Sequence, residues 1–190
     1  MACRSQSKAS EAIAQIRSEN PDADLDFLPY DASSLSAVHS TALSFLSRDI
    51  PLDILLMNAG AIIEKPQASK DGLEWMFAIN HLAHSILTVT LLPALEKAAS
   101  KAGEGGDVRV VSTASAGFSM HPDNDSLHIN DKELDVNGPE RWWQGTTPMY
   151  GRSKTCNVLF TAEINRRLRK TAWGKAVRSN AIHPGTVSMV

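Results

Sequence analysis

The chain has 190 residues, of which 43% are hydrophobic and 21% charged, and its formal net charge at pH 7 is −2. This composition is typical of one globular domain and excludes a disordered or fibrous chain. The near-neutral charge gives no basic surface for nucleic acid, and no apolar run is long enough to predict a membrane-spanning helix. Cys3 and Cys156 are too few for a disulfide framework or a zinc site, so both are expected to be packed or free thiols. We therefore expect a single soluble domain over 1–190, located in the cytoplasm.

The first half of the chain alternates predicted helices and strands. Apolar residues at helical spacing predict a helix over 5–19, and serines that can cap a helix open a second one over 33–47. Between them, 23–31 is typical of a strand, which Pro29 places at a sheet edge or near the strand's end. The continuous apolar run at 51–60 predicts a strand buried on both faces.

The second half continues the alternation. A long helix is predicted over 71–98, a valine-rich strand over 103–115, a helix over 148–170 and a closing strand over 176–187. The polar stretch 118–147 is a long excursion, and long loops in compact domains are often functional. Alternating helices and buried strands predict an α/β fold whose parallel sheet is covered on both faces and binds ligands at the carboxyl ends of its strands.

One tyrosine and one lysine stand a helical turn apart in "MYGRSK". Tyr150 and Lys154 would share a helix face, where the ammonium can stabilise the ionised phenol. At about 4 Å that stabilisation is roughly 1 kcal/mol in bulk water but about 4 kcal/mol at an effective dielectric near 20. The pair can therefore exchange protons only in a shielded cleft. On an open helix surface it is a solvated pair without chemistry.

Five motifs occur in the order found in one enzyme family. They are "MNAG" (57–60), "INHLAHSILT" (79–88), "RVVSTAS" (109–115), "YGRSK" (150–154) and "HPGTV" (183–187). Together they resemble the short-chain dehydrogenases/reductases, and the second resembles the retinol-dehydrogenase-like branch. The resemblance covers nearly the whole chain. It implies a Rossmann-like, doubly wound parallel sheet and an oxidoreductase that transfers hydride between a nicotinamide cofactor and a secondary alcohol or carbonyl of a lipophilic small molecule.

The resemblance also implies the catalytic residues. Tyr150 is the acid/base, Lys154 favours its ionised form, Ser115 steadies the substrate oxygen, and Asn80 holds a water that relays protons towards Lys154. No metal is implied, because the Tyr–Lys pair performs the acid/base work. A tryptophan pair, 142–143, could form an apolar lip over the substrate, fill a gap or meet a partner chain.

The roles of Ser115 and of a predicted cofactor residue, Asp31, both have alternatives. Ser112 and Thr113 are other hydroxyls near the same strand end, although counting from Arg109 favours Ser115. Asp31 matches a carboxylate that accepts from the adenine amino group, but it could instead cap the following helix.

The cofactor implied by the resemblance is NADPH. Arg4 matches the arginine that meets the adenosine phosphate, although a solvated side chain is the other interpretation. The histidines fall within motifs or in the excursion and are given no role. The full cofactor-binding set implied is Arg4, Asp31, Asn58, Ala59, Gly60, Tyr150, Lys154, Pro184, Gly185 and Thr186.

The chain departs from the family at one important motif. No G-x-x-x-G-x-G occurs, so the glycine-rich turn that holds the pyrophosphate is absent and dinucleotide affinity should be poor. We expect the first βα unit and the last strand to be missing, which leaves a gap between strands 23–31 and 51–60. The alternative function is therefore a truncated, catalytically impaired homologue or gene-model fragment. Such a chain could act as a binding or dimerisation module through helices 71–98 and 148–170.

Overall fold

A computed structural model describes residues 1–65, 67–103, 105–117 and 146–185. The elements are β1 (Ala2–Cys3), α1 (Gln6–Glu19), β2 (Leu28–Pro29), α2 (Leu35–Leu46), β3 (Ile54–Met57), α3 (Trp75–Phe77), a π-helical turn (Ala78–Leu82), α4 (Ala83–Thr90), α5 (Leu92–Ala102), β4 (Val108–Thr113), α6 (Thr146–Leu168), a 3₁₀ turn (Gly174–Ala176) and β5 (Val177–Ile182). The alternation of helices and strands confirms the predicted α/β class.

The strands form two parallel sheets. β1 pairs with β2, while β3, β4 and β5 form a three-stranded sheet in that order. Helices connect the parallel neighbours, as a Rossmann-like fold requires. The main core lies where Leu55 and Val110 of the larger sheet meet Leu95 of α5 and Ile164 of α6.

The predicted strand 23–31 is much shorter in the structure. Only Leu28–Pro29 joins the ladder, and it lies at the edge of its sheet, where Pro29 was expected. Upstream, the Asp26 side chain accepts from the Phe27 N–H and pairs with Arg48. Local hydrogen bonds of this kind compete with a strand ladder.

The prediction that the strand over 51–60 is buried on both faces is wrong. Leu55 and Met57 are buried, with 9% and 2% of their surface exposed, whereas Ile54 and Leu56 are 57% and 59% exposed. Successive strand residues point to opposite faces, and among the described residues only one face of β3 is packed. Among the described residues, the face of β3 that carries Ile54 and Leu56 is therefore open.

The gap was expected between strands 23–31 and 51–60; in the structure β2 pairs with β1, and β1 does not pair with β3. A cavity of about 370 Å³ occupies this position, and Ala2, Leu28, Ile54 and Leu55 are among its lining residues. The two sheets therefore face each other across an apolar space.

The predicted helix 71–98 begins and ends later and is not straight. It begins at Trp75, since the Glu74 side chain accepts from the N–H groups of Met76 and Phe77. Pro93 has no N–H to continue the helix, and the axis bends by 55° between Trp75–Thr90 and Leu92–Ala102. Within the described ranges, no single helix has the length and apolar composition to cross a membrane, and this bent pair alone reaches them.

Candidate active site

Helix α6 carries the Tyr150–Lys154 pair. Its bounds, Thr146–Leu168, are close to the predicted 148–170. The Lys154 Nζ lies 5.5 Å from the centroid of the Tyr150 ring and donates to the carbonyl of Thr113 at 2.8 Å. Lys154 is only 3% exposed, and this burial lowers the pKa of its ammonium. Tyr150 is half-buried. The ammonium thus lies in the shielded setting that proton exchange requires, not on an open helix surface.

Ser115 and Tyr150 both lie close to Gly117. A Cβ on Gly117 would be 3.4 Å from both the Ser115 Oγ and the Tyr150 ring, so a larger residue would crowd the two groups. The Ser115 Oγ accepts from the Gly117 N–H at 3.1 Å. Of the alternative hydroxyls, Ser112 is 1% exposed within β4, and Thr113 donates to Asn58 Oδ1 at 2.9 Å. The geometry therefore favours Ser115, whose role stays a prediction.

Asn80 lies in the π-helical turn and is fully buried. Its Oδ1 accepts from the Ala61 N–H at 2.9 Å, and its Nδ2 donates to the Ala61 carbonyl and to Ser153 Oγ at 3.0 and 3.1 Å. The Ala83 N–H bonds to the Ala78 carbonyl, which is the wider i to i−5 pattern of a π-helix and often marks functional sites. Asn80 therefore holds the loop after β3 against α6.

Gly60 brings this loop close to both polar side chains. A Cβ at Gly60 would lie 3.1 Å from Asn80 Oδ1 and 3.4 Å from Lys154 Nζ. The predicted Asn58–Gly60 segment thus converges with Asn80 and Lys154 at the carboxyl end of β3. The proton relay through Asn80 stays a prediction.

His84 is a buried neighbour to which the sequence analysis gave no role. It is 3% exposed, and burial, with Lys154 as a smaller cause, lowers its pKa to about 4. The imidazole is therefore neutral at pH 7. His84 follows Asn80 by one helical turn, and that spacing was the available signal.

Four predicted cofactor residues lie together around a second cavity. This cavity, of about 220 Å³, is lined by Arg4, Asp31, Ala59 and Gly60 among others. Arg4 is exposed, and no carboxylate within the described ranges pairs with it. The guanidinium is therefore available to an anionic group.

Asp31, by contrast, is already engaged. It pairs with Lys70 at 2.7 Å and accepts from the backbone and hydroxyl of Ser33, and these contacts lower its pKa to about 2. The cap of α2 itself is Ser34, so Asp31 orders the turn before the helix. It lines the cavity, but a ligand would share it with Lys70.

The segment after β5 also lies near the site. The Ala116 N–H donates to His183 Nδ1 at 3.3 Å, which brings Pro184 and Gly185 towards the end of β4. Gly185 has φ of +85°, a conformation that favours glycine. Thr186 and the tryptophan pair lie outside the described residues.

Cysteines and metal ligands complete the description. Cys3 and Cys156 are free thiols, as expected, and Cys156 is buried. In the part of the chain that the structure describes, no group of histidine, cysteine and carboxylate side chains could hold a metal ion.

Residues 1–122 match the family model for short chain dehydrogenase. The chain belongs to this family. A short chain dehydrogenase/reductase, dpchH, of Colletotrichum higginsianum is 38% identical over 195 residues, covering 98% of this chain and 47% of the relative. The chain spans about half the length of the curated relatives it matches.

Solved structures show the same fold. The crystal structure of a protein from Mycobacterium Paratuberculosis superposes with a TM-score of 0.70 at 31% identity, covering 97% of this chain and 57% of that one. NADPH-bound carbonyl reductase from chicken fatty liver superposes with a TM-score of 0.65 at 19% identity, covering 97% and 66%. The Rossmann-like fold is therefore confirmed.

Proposed function

We propose that the chain carries the active site of an NAD(P)-dependent oxidoreductase acting on a secondary alcohol or carbonyl of a lipophilic small molecule. The observation that carries this proposal is the convergence of a buried Lys154, Tyr150, Ser115 and the Gly60–Asn80 contact at one end of the sheet. Family membership supports it. Neither feature specifies the substrate.

In the direction of reduction, the substrate oxygen lies between two hydroxyl groups. Tyr150 gives its proton to that oxygen, while the Ser115 hydroxyl donates a hydrogen bond as negative charge develops there. The Lys154 ammonium stabilises the phenolate that remains. Asn80 holds a water that returns a proton towards Lys154. The bound cofactor supplies the hydride.

Two residues that line the second cavity support a dinucleotide ligand. Gly60 leaves a cradle that a Cβ would fill beside Asn80 and Lys154, and Arg4 offers at this cavity a guanidinium that no carboxylate of the described residues pairs with. Guanidinium–phosphate pairing favours NADPH over NADH. Arg4→Ala should therefore raise the KM for NADPH about tenfold and leave that for NADH nearly unchanged. Equal changes in the KM for NADPH and for NADH would contradict the proposed preference for NADPH.

The finer family position is also a proposal. The segment "INHLAHSILT" supports the retinol-dehydrogenase-like branch, and the cytoplasm stays the predicted location. Retinoid and steroid ketones are therefore sensible members of the first substrate panel.

The test is NADPH oxidation with a panel of lipophilic carbonyl compounds, comparing the protein with Tyr150→Phe. We expect the variant to lose at least about 100-fold in rate, because acid–base catalysis contributes that much or more. Its NADPH dissociation constant, measured by fluorescence, should change little and serves as the control. An unchanged rate in Tyr150→Phe would reject the proposed mechanism.

A second candidate function is that of a dimerisation module. Val89 on α4 and Val158 and Leu159 on α6 are 53%, 37% and 53% exposed, respectively. Exposed apolar residues on two long helices can pair with a second copy of the chain. Light scattering that shows a dimer without cofactor binding would favour this function. A dimer disrupted by Leu159→Glu would locate the contact.

A further inference from the structure

We propose that Glu74 and Arg152 form a positioning pair, which fixes the rotation of α6 against the π-helical turn and so aligns Tyr150 and Lys154 with Asn80. Its kinetic consequence rests on the proposed function. Its structural consequence can be measured without any substrate.

Both partners are withdrawn from solvent. Glu74 is 0% exposed and Arg152 is 2% exposed, and Arg152 Nη2 lies 3.7 Å from Glu74 Oε2. The same carboxylate accepts from the N–H groups of Met76 and Phe77, at 2.8 Å each. Glu74 therefore joins the start of α3 to the second turn of α6. Removing one partner would leave the other as a buried charge without this ion pair.

The position of Arg152 on α6 explains how the pair could align the site. Arg152 is two residues from both Tyr150 and Lys154, which is roughly 200° around a helix in either direction. It therefore projects from the side of α6 opposite to the catalytic pair. Lys154 holds its own side through Thr113, at 2.8 Å. Contacts on opposite sides of a helix resist its rotation about its axis.

Further polar contacts join α6 to the π-helical turn, between the Glu74–Arg152 pair and the Lys154–Thr113 hydrogen bond. Ser153 Oγ accepts from Asn80 Nδ2 at 3.1 Å, Asn157 Nδ2 donates to the Asn80 carbonyl at 2.9 Å, and Asn157 Oδ1 lies 3.0 Å from His81 Nδ1. One face of α6 is therefore bonded to the π-helical turn, with the Glu74–Arg152 pair at its edge. Hydrogen-bonded contacts of this kind specify one packing geometry more sharply than apolar contacts do.

An ionic pair at this position is costly to bury. Burial lowers the pKa of Arg152, and the neighbouring Glu74 charge opposes that effect. Burying an ion pair often adds no net stability to a fold, so a role in alignment fits this pair better than a role in stability. Misalignment of catalytic groups by about 1 Å can cost on the order of 100-fold in rate.

The first test measures hydrogen exchange of the whole chain without ligand. Arg152→Met should speed amide exchange in Ala78–Leu82 at least about tenfold, while β4 exchanges at its original rate. Arg152→Lys, which keeps the charge, should restore most of the protection. A matched control is Glu163→Gln, which breaks exposed ion pairs with Arg166 and Arg167 on the same helix and should change neither segment.

Unchanged exchange in Ala78–Leu82, or equal acceleration in β4, would overturn the proposal, because the pair would then be irrelevant or merely stabilising. If Arg152→Met does not fold, Glu74→Gln and Arg152→Lys provide the same comparison. For Glu74→Gln, only amides 78–82 are read, since Met76 and Phe77 bond to Glu74 directly.

The second test is kinetic. Arg152→Met and Glu74→Gln should each lower kcat about 10- to 100-fold, with the KM for NADPH within about twofold, and the double variant should be no worse than the poorer single one. Additive losses, or a rise in KM alone, would contradict alignment. If the unmodified protein turns over no substrate, the proposed function fails, while hydrogen exchange still decides whether the pair positions α6.

Discussion

The regions on the two sides of β3 differ sharply. Towards β4 and α6, buried polar side chains converge and have partners, as Asn80, Ser153 and Lys154 show. Towards β1, the facing strand does not pair, and an apolar cavity separates the sheets. The chain thus places buried, hydrogen-bonded polar groups on one side of β3 and an apolar space on the other. Proton transfer and dinucleotide affinity can therefore be measured separately in this molecule.

The largest loss of activity should come from removing the Lys154 ammonium, which lies on the side of β3 that faces β4 and α6. Lys154→Met should lower kcat/KM by about 1,000-fold, because it removes the charge that stabilises the phenolate. The loss should remain at saturating NADPH, as measured by steady-state kinetics. Lys154→Arg should recover little, since a planar guanidinium does not fit where the ammonium lies. A drop in NADPH affinity alone would assign Lys154 to binding rather than to proton transfer.

Leu55 and Leu56, neighbours in β3, test the difference between the buried and the exposed face of that strand. Leu55→Ala should lower the free energy of unfolding by about 2–5 kcal/mol, because it opens a cavity in the core. Leu56→Ala should change it by no more than about 0.5 kcal/mol, because that side chain is 59% exposed. Urea unfolding of both variants gives the comparison. Equal losses would mean that the face carrying Leu56 is packed.

Acid should lower the free energy of unfolding, because it protonates the buried His84. Its pKa is about 4 in the folded chain and 6.5 ordinarily, so the unfolded chain binds more protons between these values. Stability should therefore fall by roughly 3 kcal/mol as pH drops from 6.5 to 4. His81, whose pKa burial also lowers, acts in the same direction. His84→Gln should flatten the slope in urea titrations at several pH values; an unchanged slope would contradict the assignment.

The sequence predicted the elements that have strong local signals. The helix over 148–170 was confirmed within two residues at each end.

Other features depend on contacts distant in sequence. An apolar strand looks the same whether one or both of its faces are packed, so the exposure of Ile54 and Leu56 was not predictable. The Glu74–Arg152 pair joins residues far apart in the chain, and neither residue has a pattern that signals burial. The engagement of Asp31 by Lys70 likewise appears only when the loop after β3 is folded back.

The most direct test of proton and hydride transfer at this site uses reduced cofactor deuterated at the transferred position, with a carbonyl substrate found in the panel. Mass spectrometry of the product should show one deuterium on the carbinol carbon with the unmodified chain. With Tyr150→Phe at the same cofactor occupancy, at least about 100-fold less product should form. Equal amounts of labelled alcohol from both proteins would contradict the account.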